Sequence, residues 1–411
     1  MSQDVSQATS QGLARSAVLA IGAGSFIVLL SFGIRSSFGL FLQPMTADLG
    51  WGREVFALAF ALQNLIWGVA QPFIGMVADK WGTPRTVVAG GLLYALALYL
   101  MATTASAFEL HFSAGLLIGL ALGGTGFGVV LAAVGRAVPA EQRSTALGLT
   151  TAIGSFGQFL MPPLGQALLS SYGWQTALLL LAVASLLMIP AAGGLRGGVA
   201  AGAYSHDKQT LRGALSEATH HSGFLYLTAG FFVCGWHVAF IAVHLPAYLA
   251  DGGIGAGIAA WCLALVGLFN VIGSYTAGVL GGRFSKKYCL SFLYAARSVL
   301  ILVFILVPLS VASALIFSAI MGLLWLSTVP LTSGLVAQIF GPRYMATLAA
   351  MAFVSHQFGS FLGVWLGGVS FDATGSYDPI WTFAILAGFV ATILHLPIPD
   401  KPLARIAGTA A

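Results

Sequence analysis

Gly75-Met76-Val77-Ala78-Asp79-Lys80-Trp81-Gly82-Thr83-Pro84-Arg85 is a short charged hinge between two long apolar runs. The runs cover 54–78 and 86–106. Each is long enough, as a helix, to cross about 30 Å of hydrocarbon. The alternation continues in both directions. Twelve apolar segments can be read, bounded near 17–44, 54–78, 86–106, 109–135, 145–170, 174–195, 223–250, 256–282, 287–309, 311–337, 346–371 and 378–399. Of the 411 residues 58% are hydrophobic and 7% charged, against about 25% charged in a soluble domain. The mean hydropathy is +0.93. So few charges cannot solvate a chain this size, which excludes a soluble enzyme, a nucleic-acid binder and a disordered scaffold. Membrane β-barrels show runs of about ten alternating residues; these runs are continuous and longer. The expectation is an all-α polytopic membrane protein with twelve transmembrane helices.

Charge placement predicts the topology. With the N-terminus in the cytoplasm, cytoplasmic segments carry Arg15, Lys80, Arg85, Arg136, Arg143, Arg196, Lys208, Arg212, Arg283, Lys286, Lys287, Arg343, Lys401 and Arg405, which is 14 of 17 basic residues. Only Arg53 falls outside, and Arg35 and Arg297 lie within spans. Such a bias puts both termini in the cytoplasm, in a bacterial inner membrane. The first apolar run has no small-residue cleavage site after a short core and reads as a retained helix. Three cysteines, Cys234, Cys262 and Cys289, give no disulfide framework and no metal-ligand spacing.

The longest polar stretch, 196–222, divides the chain into a tail (1–16), a six-helix half (17–195), a cytoplasmic linker, a second six-helix half (223–399) and a tail (400–411). The halves resemble each other at an offset near 203 residues. Gln71-Pro72-Phe73-Ile74-Gly75 faces Ser274-Tyr275-Thr276-Ala277-Gly278, and Ser155-Phe156-Gly157-Gln158-Phe159-Leu160 faces Gln357-Phe358-Gly359-Ser360-Phe361-Leu362. Parallel repeats of this kind place a solute site between the halves near the midplane.

The hinge resembles the signature loop of the major facilitator superfamily, Gly-x-x-x-Asp-Arg/Lys-x-Gly with following bases. With twelve spans and a central linker the resemblance covers the whole chain. It implies a conformational latch at Gly75, Asp79, Lys80, Gly82 and Arg85, with Gly75 permitting close helix contact and Asp79 meeting a base or a helix N-terminus. The chain looks most like bacterial members near the monocarboxylate porters and oxalate–formate exchangers. Leu49-Gly50-Trp51-Gly52-Arg53, Gly173-Trp174 and Asp372-Ala373-Thr374-Gly375-Ser376-Tyr377 carry that likeness. Those families place a substrate-binding Arg in span 8. Here Ser274 stands at the aligned position, one turn after Asn270.

Ionisable groups inside a membrane are functional candidates by default. All 12 acids lie in loops, tails or span edges. Arg35 and Arg297 therefore need a carbonyl, a helix end, water or an anionic solute as counter-charge. A planar guanidinium suits a carboxylate. Arg35 reads equally as a solute contact or as a structural Arg snorkelling to the outer interface; for Arg297, helix-tying through carbonyls is the preferred reading. His237 and His244 share one face of span 7, and His356 lies in span 11; each is a proton-site candidate or an interhelical hydrogen bond. Asn64, Gln158 and Asn270, with Gln63, complete the solute-binding candidates, although amides also serve as interhelical glue. Glycine ladders Gly115/Gly119/Gly123 and Gly359/Gly363/Gly367 read as packing surfaces. Pro162-Pro163 is expected to bend span 5.

The function expected is secondary transport by alternating access. The cargo would be a small organic anion, foremost a monocarboxylate, moved with H+ or by exchange. No cofactor, metal or nucleic acid is expected, and the chain should work as a monomer in the bilayer. An exporter of drugs or other aromatic solutes on the same fold is the alternative. An intramembrane enzyme or sensor is remote, since no His-Glu-x-x-His, paired aspartates or Gly-x-Ser-x-Gly occurs.

Overall fold

The computed structural model describes residues 2–139, 142–196, 210–341 and 344–403. Side chains 2–15, 144 and 346 lie outside the description, as do Lys208, Arg343 and Arg405. Among the described residues all regular structure is helical.

Span 1 is the helix Ser2–Ser36, continued by a tight turn (Phe38–Phe41) and the helix Leu42–Leu49. The helix begins earlier than 17, while its apolar span begins at Ser16, beside the expected bound. Span 2 is Arg53–Trp81, span 3 Thr83–Ala102 and span 4 Ala107–Ala137. Spans 5 and 6 form one apolar stretch, Thr145–Leu195, divided where Gly173 takes φ 76° and ψ 170°. That left-handed φ is open to glycine and strained for other residues. Span 7 is Ser222–Asp251, span 8 Ala256–Arg283, span 9 Lys286–Leu306, span 10 Val311–Phe340, span 11 Met345–Thr374 and span 12 Asp378–His395. Gly375 (φ 72°) ends span 11, as a left-handed C-terminal glycine commonly does. The start of span 1, the end of span 12 and the described flanks of the central connection lie at one end of the bundle, here called the terminal end; the other is the far end.

One local expectation needs correction, at Gly75 of the hinge. Pro162-Pro163, expected to bend span 5, lies in backbone that stays helical until Gly173. The interruptions fall elsewhere. Gly126 is extended (φ −84°, ψ 176°) inside span 4, and span 10 pauses between Leu324 and Thr328. The linker holds a short helix, Leu211–His220, capped by Thr210 Oγ1 accepting from Gly213 N at 3.1 Å. Lastly, Gly75 makes no close helix contact: a Cβ there would meet nothing within 4 Å.

Lipid tails are as apolar as leucine, so helices in a membrane associate by close packing and buried polar contacts. The glycine ladders supply the first. Gly115 and Gly119 of span 4 lie against Ala59 O and Gln63 O of span 2, at 3.1 and 2.9 Å from a notional Cβ. Gly363 of span 11 lies against Trp236 O of span 7, at 2.8 Å. The first and last six spans then meet along two long seams, span 2 with span 11 and span 5 with span 8, and again where Gly39 lies against the Ala242 and Val243 carbonyls of span 7. On the first, Gly68 makes room for Gln357, whose Cβ would stand 2.7 Å from an added methyl. On the second, Gly267 abuts the Gln158 carbonyl at 2.7 Å.

Candidate functional site

Arg35 ends the first helix at mid-depth and is half-buried. Its Nε donates to Gln63 Oε1 at 3.2 Å and its Nη2 to Asn64 Oδ1 at 2.6 Å. Both amides are oriented by backbone carbonyls, Gln63 Nε2 donating to Ala114 O (3.0 Å) and Asn64 Nδ2 to Phe60 O (2.7 Å). Their oxygens must therefore face the guanidinium. The guanidinium carbon stands 5.3 Å from the Trp67 ring centroid, within cation–π range. No carboxylate bonds Arg35 among the described residues. Five N–H donors are available on a guanidinium, and these contacts use two. The charge is met by neutral groups and keeps donors in reserve.

The second half of the chain reaches the same point through span 11. Gln357 Nε2 donates to Asn64 O at 2.8 Å across the seam. That fixes Gln357 Oε1 towards His356 Nδ1, 3.0 Å away, so Nδ1 donates and Nε2 is the basic nitrogen. His356 Nε2 is buried, meets hydrogen-bond geometry with no described residue, and lies beside the Cys234 thiol of span 7. Aromatic rings wall the group. Trp67 lies edge-on to Phe32 (5.6 Å) and Phe353 (5.2 Å), and Phe353 stacks on His356 (5.6 Å, 15°). Arg35, Asn64 and His356 thus belong to one cluster. Gln357, Trp67 and Phe353 were not singled out from sequence; the signal was there in the spacing of Gln63, Asn64 and Trp67 on one face and in Gln357 beside His356.

The remaining candidates lie apart. Arg297 is fully buried. Its Nε and Nη2 donate to Leu324 O, its Nη2 also to Trp325 O, and its Nη1 to Cys234 Sγ at 3.3 Å. Those carbonyls are set free by the pause in span 10, and helix C-terminal carbonyls attract cations. Asn270 serves the same pause: its Oδ1 accepts from Leu326 N and Ser274 Oγ, both at 3.1 Å. His237 Nε2 donates to Ala384 O at 2.8 Å. His244 Nε2 donates to Val364 O at 2.8 Å, leaving Nδ1 to accept from the Tyr377 hydroxyl at 3.1 Å. Both histidines are buried helix ties in the last six spans. Gln158 is 9% exposed and hydrogen-bonds to no described residue.

At the terminal end, Asp79 pairs with Arg136 Nη1 (3.4 Å), whose Nη2 donates to Thr83 Oγ1 (2.7 Å). Gly82 joins spans 2 and 3 with φ 91°. Lys80 lies 5.5 Å from the Trp81 ring and Arg85 is exposed. The loop's ion pair therefore stays within the first six spans, and among the described residues no bond from these five crosses to the last six.

The far end is closed by a clasp that does cross. Arg53 binds Asp251 through both terminal nitrogens (2.6 and 2.7 Å), and its guanidinium carbon lies 3.5 Å from the Phe371 ring centroid. The Asp372 carboxylate accepts from Arg53 N (2.9 Å) and Glu54 N (2.7 Å), capping span 2. Gly52 leaves the space this needs, since a Cβ would stand 2.5 Å from Asp372 Oδ2. The Tyr377 hydroxyl accepts from Arg53 Nη1 at 2.9 Å while donating to His244. Burial, opposed by Arg53, pushes its pKa up to about 12, so it keeps its proton. Gln43 Nε2 adds a bond to Asp251 (3.0 Å), and Trp174 Nε1 ties span 6 to Asp48 (2.9 Å). All three sequence stretches around Arg53, Trp174 and Tyr377 converge here.

Two six-span units around a mid-depth polar cluster, sealed at one end, define a membrane transporter. The chain belongs to the Major Facilitator Superfamily, whose family model matches residues 24–364. It is therefore a multi-pass membrane transporter and not an enzyme. It is 25% identical over 402 residues to an uncharacterized MFS-type transporter, YcxA, of Bacillus subtilis (strain 168), covering 94% of this chain and 95% of that one. It is 25% identical over 374 residues to monocarboxylate transporter 13 of Rattus norvegicus, covering 87% of this chain and 84% of that one. Among solved structures, a bacterial homologue of the human lysosomal transporter Spinster, inward-facing and unoccupied, superimposes with TM-score 0.74 at 16% identity, covering 94% of this chain and 98% of that one.

Proposed function

We propose that this protein is a secondary transporter of small organic anions, foremost monocarboxylates, and that Arg35 binds the carboxylate. One observation carries the reading: a half-buried guanidinium at mid-depth, held by two amide oxygens and no acid among the described residues. A charge at that depth is costly unless something compensates it, and an anionic solute does so while using the free donors. The Trp67 and Phe353 rings suit the solute's apolar tail. The monocarboxylate transporters among the relatives support the same class. His356 Nε2 is the proton acceptor beside the site, which makes H+ the coupling ion. The basic residues at the terminal end make that end cytoplasmic. The clasp then holds the outside shut. The hinge from Gly75 to Arg85 acts as a latch in the opposite state, when the terminal ends approach.

The test is uptake by the purified protein in proteoliposomes. Lactate, pyruvate, benzoate, a neutral sugar and a cationic dye would be compared, with and without an inward proton gradient. Gradient-stimulated uptake confined to the acids is expected. Uptake of the dye or the sugar with none of the acids overturns the proposal.

A further inference from the structure

A cleft of about 720 Å³ opens between the start of span 3 and the end of span 6, well away from Arg35. Its walls change character with depth. Arg85 and Arg196 stand at the terminal end, where the helices leave the hydrocarbon. Trp81 lies beside them, 56% exposed. Deeper, the lining is apolar, with Val88, Leu92 and Ile189.

Among the described residues nothing compensates the charges at the mouth, and no acidic residue lines the cleft. Asp79, the nearest acid in sequence, is engaged by Arg136. Neither Arg85 nor Arg196 makes an ion pair or a side-chain hydrogen bond with another described residue. Span 3 also begins here without a side-chain cap and without an acid in its first turn, so its positive end adds to the field.

We propose that this cleft binds one anionic phospholipid, such as phosphatidylglycerol, with the phosphate held between Arg85 and Arg196. The gradient selects this occupant. A soluble phosphate would use the arginines and leave the apolar floor bare. A lipid lays its acyl chain along Leu92 and Ile189 and keeps its glycerol beside Trp81, at the level where indole rings favour the interface. Leu92 is 52% exposed, so the floor is open to an acyl chain from the side. Basic pockets between spanning helices at a membrane surface recognise lipid headgroups in this way. Spans 3 and 6 belong to the same six-span unit, so the site keeps its shape when the halves rock.

Native mass spectrometry of the full chain, titrated with phosphatidylglycerol against phosphatidylcholine, tests the assignment. Wild type should retain phosphatidylglycerol preferentially, and the double variant Arg85→Gln/Arg196→Gln should bind it roughly thirtyfold more weakly, as expected for two surface arginines. Equal retention by both proteins overturns the proposal. Displacement of the lipid by millimolar inorganic phosphate also overturns it, by assigning the arginines to a soluble anion. If the double variant fails to fold, Trp81→Phe gives a second reading. Dibrominated phosphatidylglycerol should quench wild-type fluorescence by more than that of Trp81→Phe; identical quenching counts against the site.

Discussion

Arg35 and Arg297 carry the same charge into the spans and meet different partners. Arg297 is enclosed by carbonyls that a pause in span 10 sets free, while Arg35 faces amide oxygens and keeps donors unused. Arg297→Gln should therefore lower stability by about 2–3 kcal/mol, the scale of lost charge-assisted hydrogen bonds. A denaturation series in detergent would read this, with solute selectivity unchanged in the protein that remains folded. A changed selectivity at unchanged stability would place Arg297 at the solute. The histidines divide in the same manner. His237 and His244 tie to backbone carbonyls of spans 12 and 11, whereas His356 is joined to the Arg35 cluster through Gln357. His356→Gln should abolish gradient-driven uptake and leave solute exchange within about twofold, because only the proton acceptor is removed. Gradient-driven uptake at the wild-type level would exclude His356 as the proton site. Residue types alone announced that both arginines and all three histidines needed partners. Which carbonyls Arg297 meets depends on where span 10 pauses, just ahead of Pro330, whose missing N–H leaves the preceding turn unbonded.

At the scale of elements, the spans were legible because membrane thickness imposes a minimum apolar length. Their interruptions were not. Prolines were the visible candidates, yet Pro162-Pro163 stays helical while Gly126 and the Leu324–Thr328 segment depart. Proline forfeits one hydrogen bond, and neighbouring helices tolerate that; a larger break needs partners for the freed groups, and Arg297 and Asn270 supply them. The stretch Leu49–Arg53 was visible in sequence as a likeness to relatives. Its physical content is the joint between spans 1 and 2, where Gly50 turns the chain (φ 66°) and Gly52 admits Asp372. Gly52→Ala leaves the backbone unstrained and displaces only that carboxylate. It should weaken the clasp by about 1 kcal/mol and shift the population about fivefold towards the state open at the far end. Electron-spin distances between labels at Phe108 and Gly257, in a Cys289→Ser background, would report it as growth of the longer separation. An unchanged distribution would mean that Asp372 does not hold the far end shut.

For the whole molecule, the scarcity of charge has a direction. The bases gather at the terminal end, the acids stay out of mid-span, and the interior cluster is net positive. Glycine-lined seams between spans 2 and 11 and between spans 5 and 8 let the two units lie close, and the clasp seals one end over the cluster. Under the proposed function, the positive centre would attract an anion and the rocking of the two units would expose it to one side at a time. The most direct measurement is carboxylate counterflow in proteoliposomes with wild type, Arg35→Lys and Arg35→Gln at matched reconstitution. Loss of one charge-assisted contact is worth about 1.5–3 kcal/mol, so Arg35→Gln should transport at least about tenfold less well. Arg35→Lys, which keeps the charge and loses the fork, should fall between. Wild-type carboxylate counterflow by Arg35→Gln would contradict the role of Arg35 and, with it, the anion site.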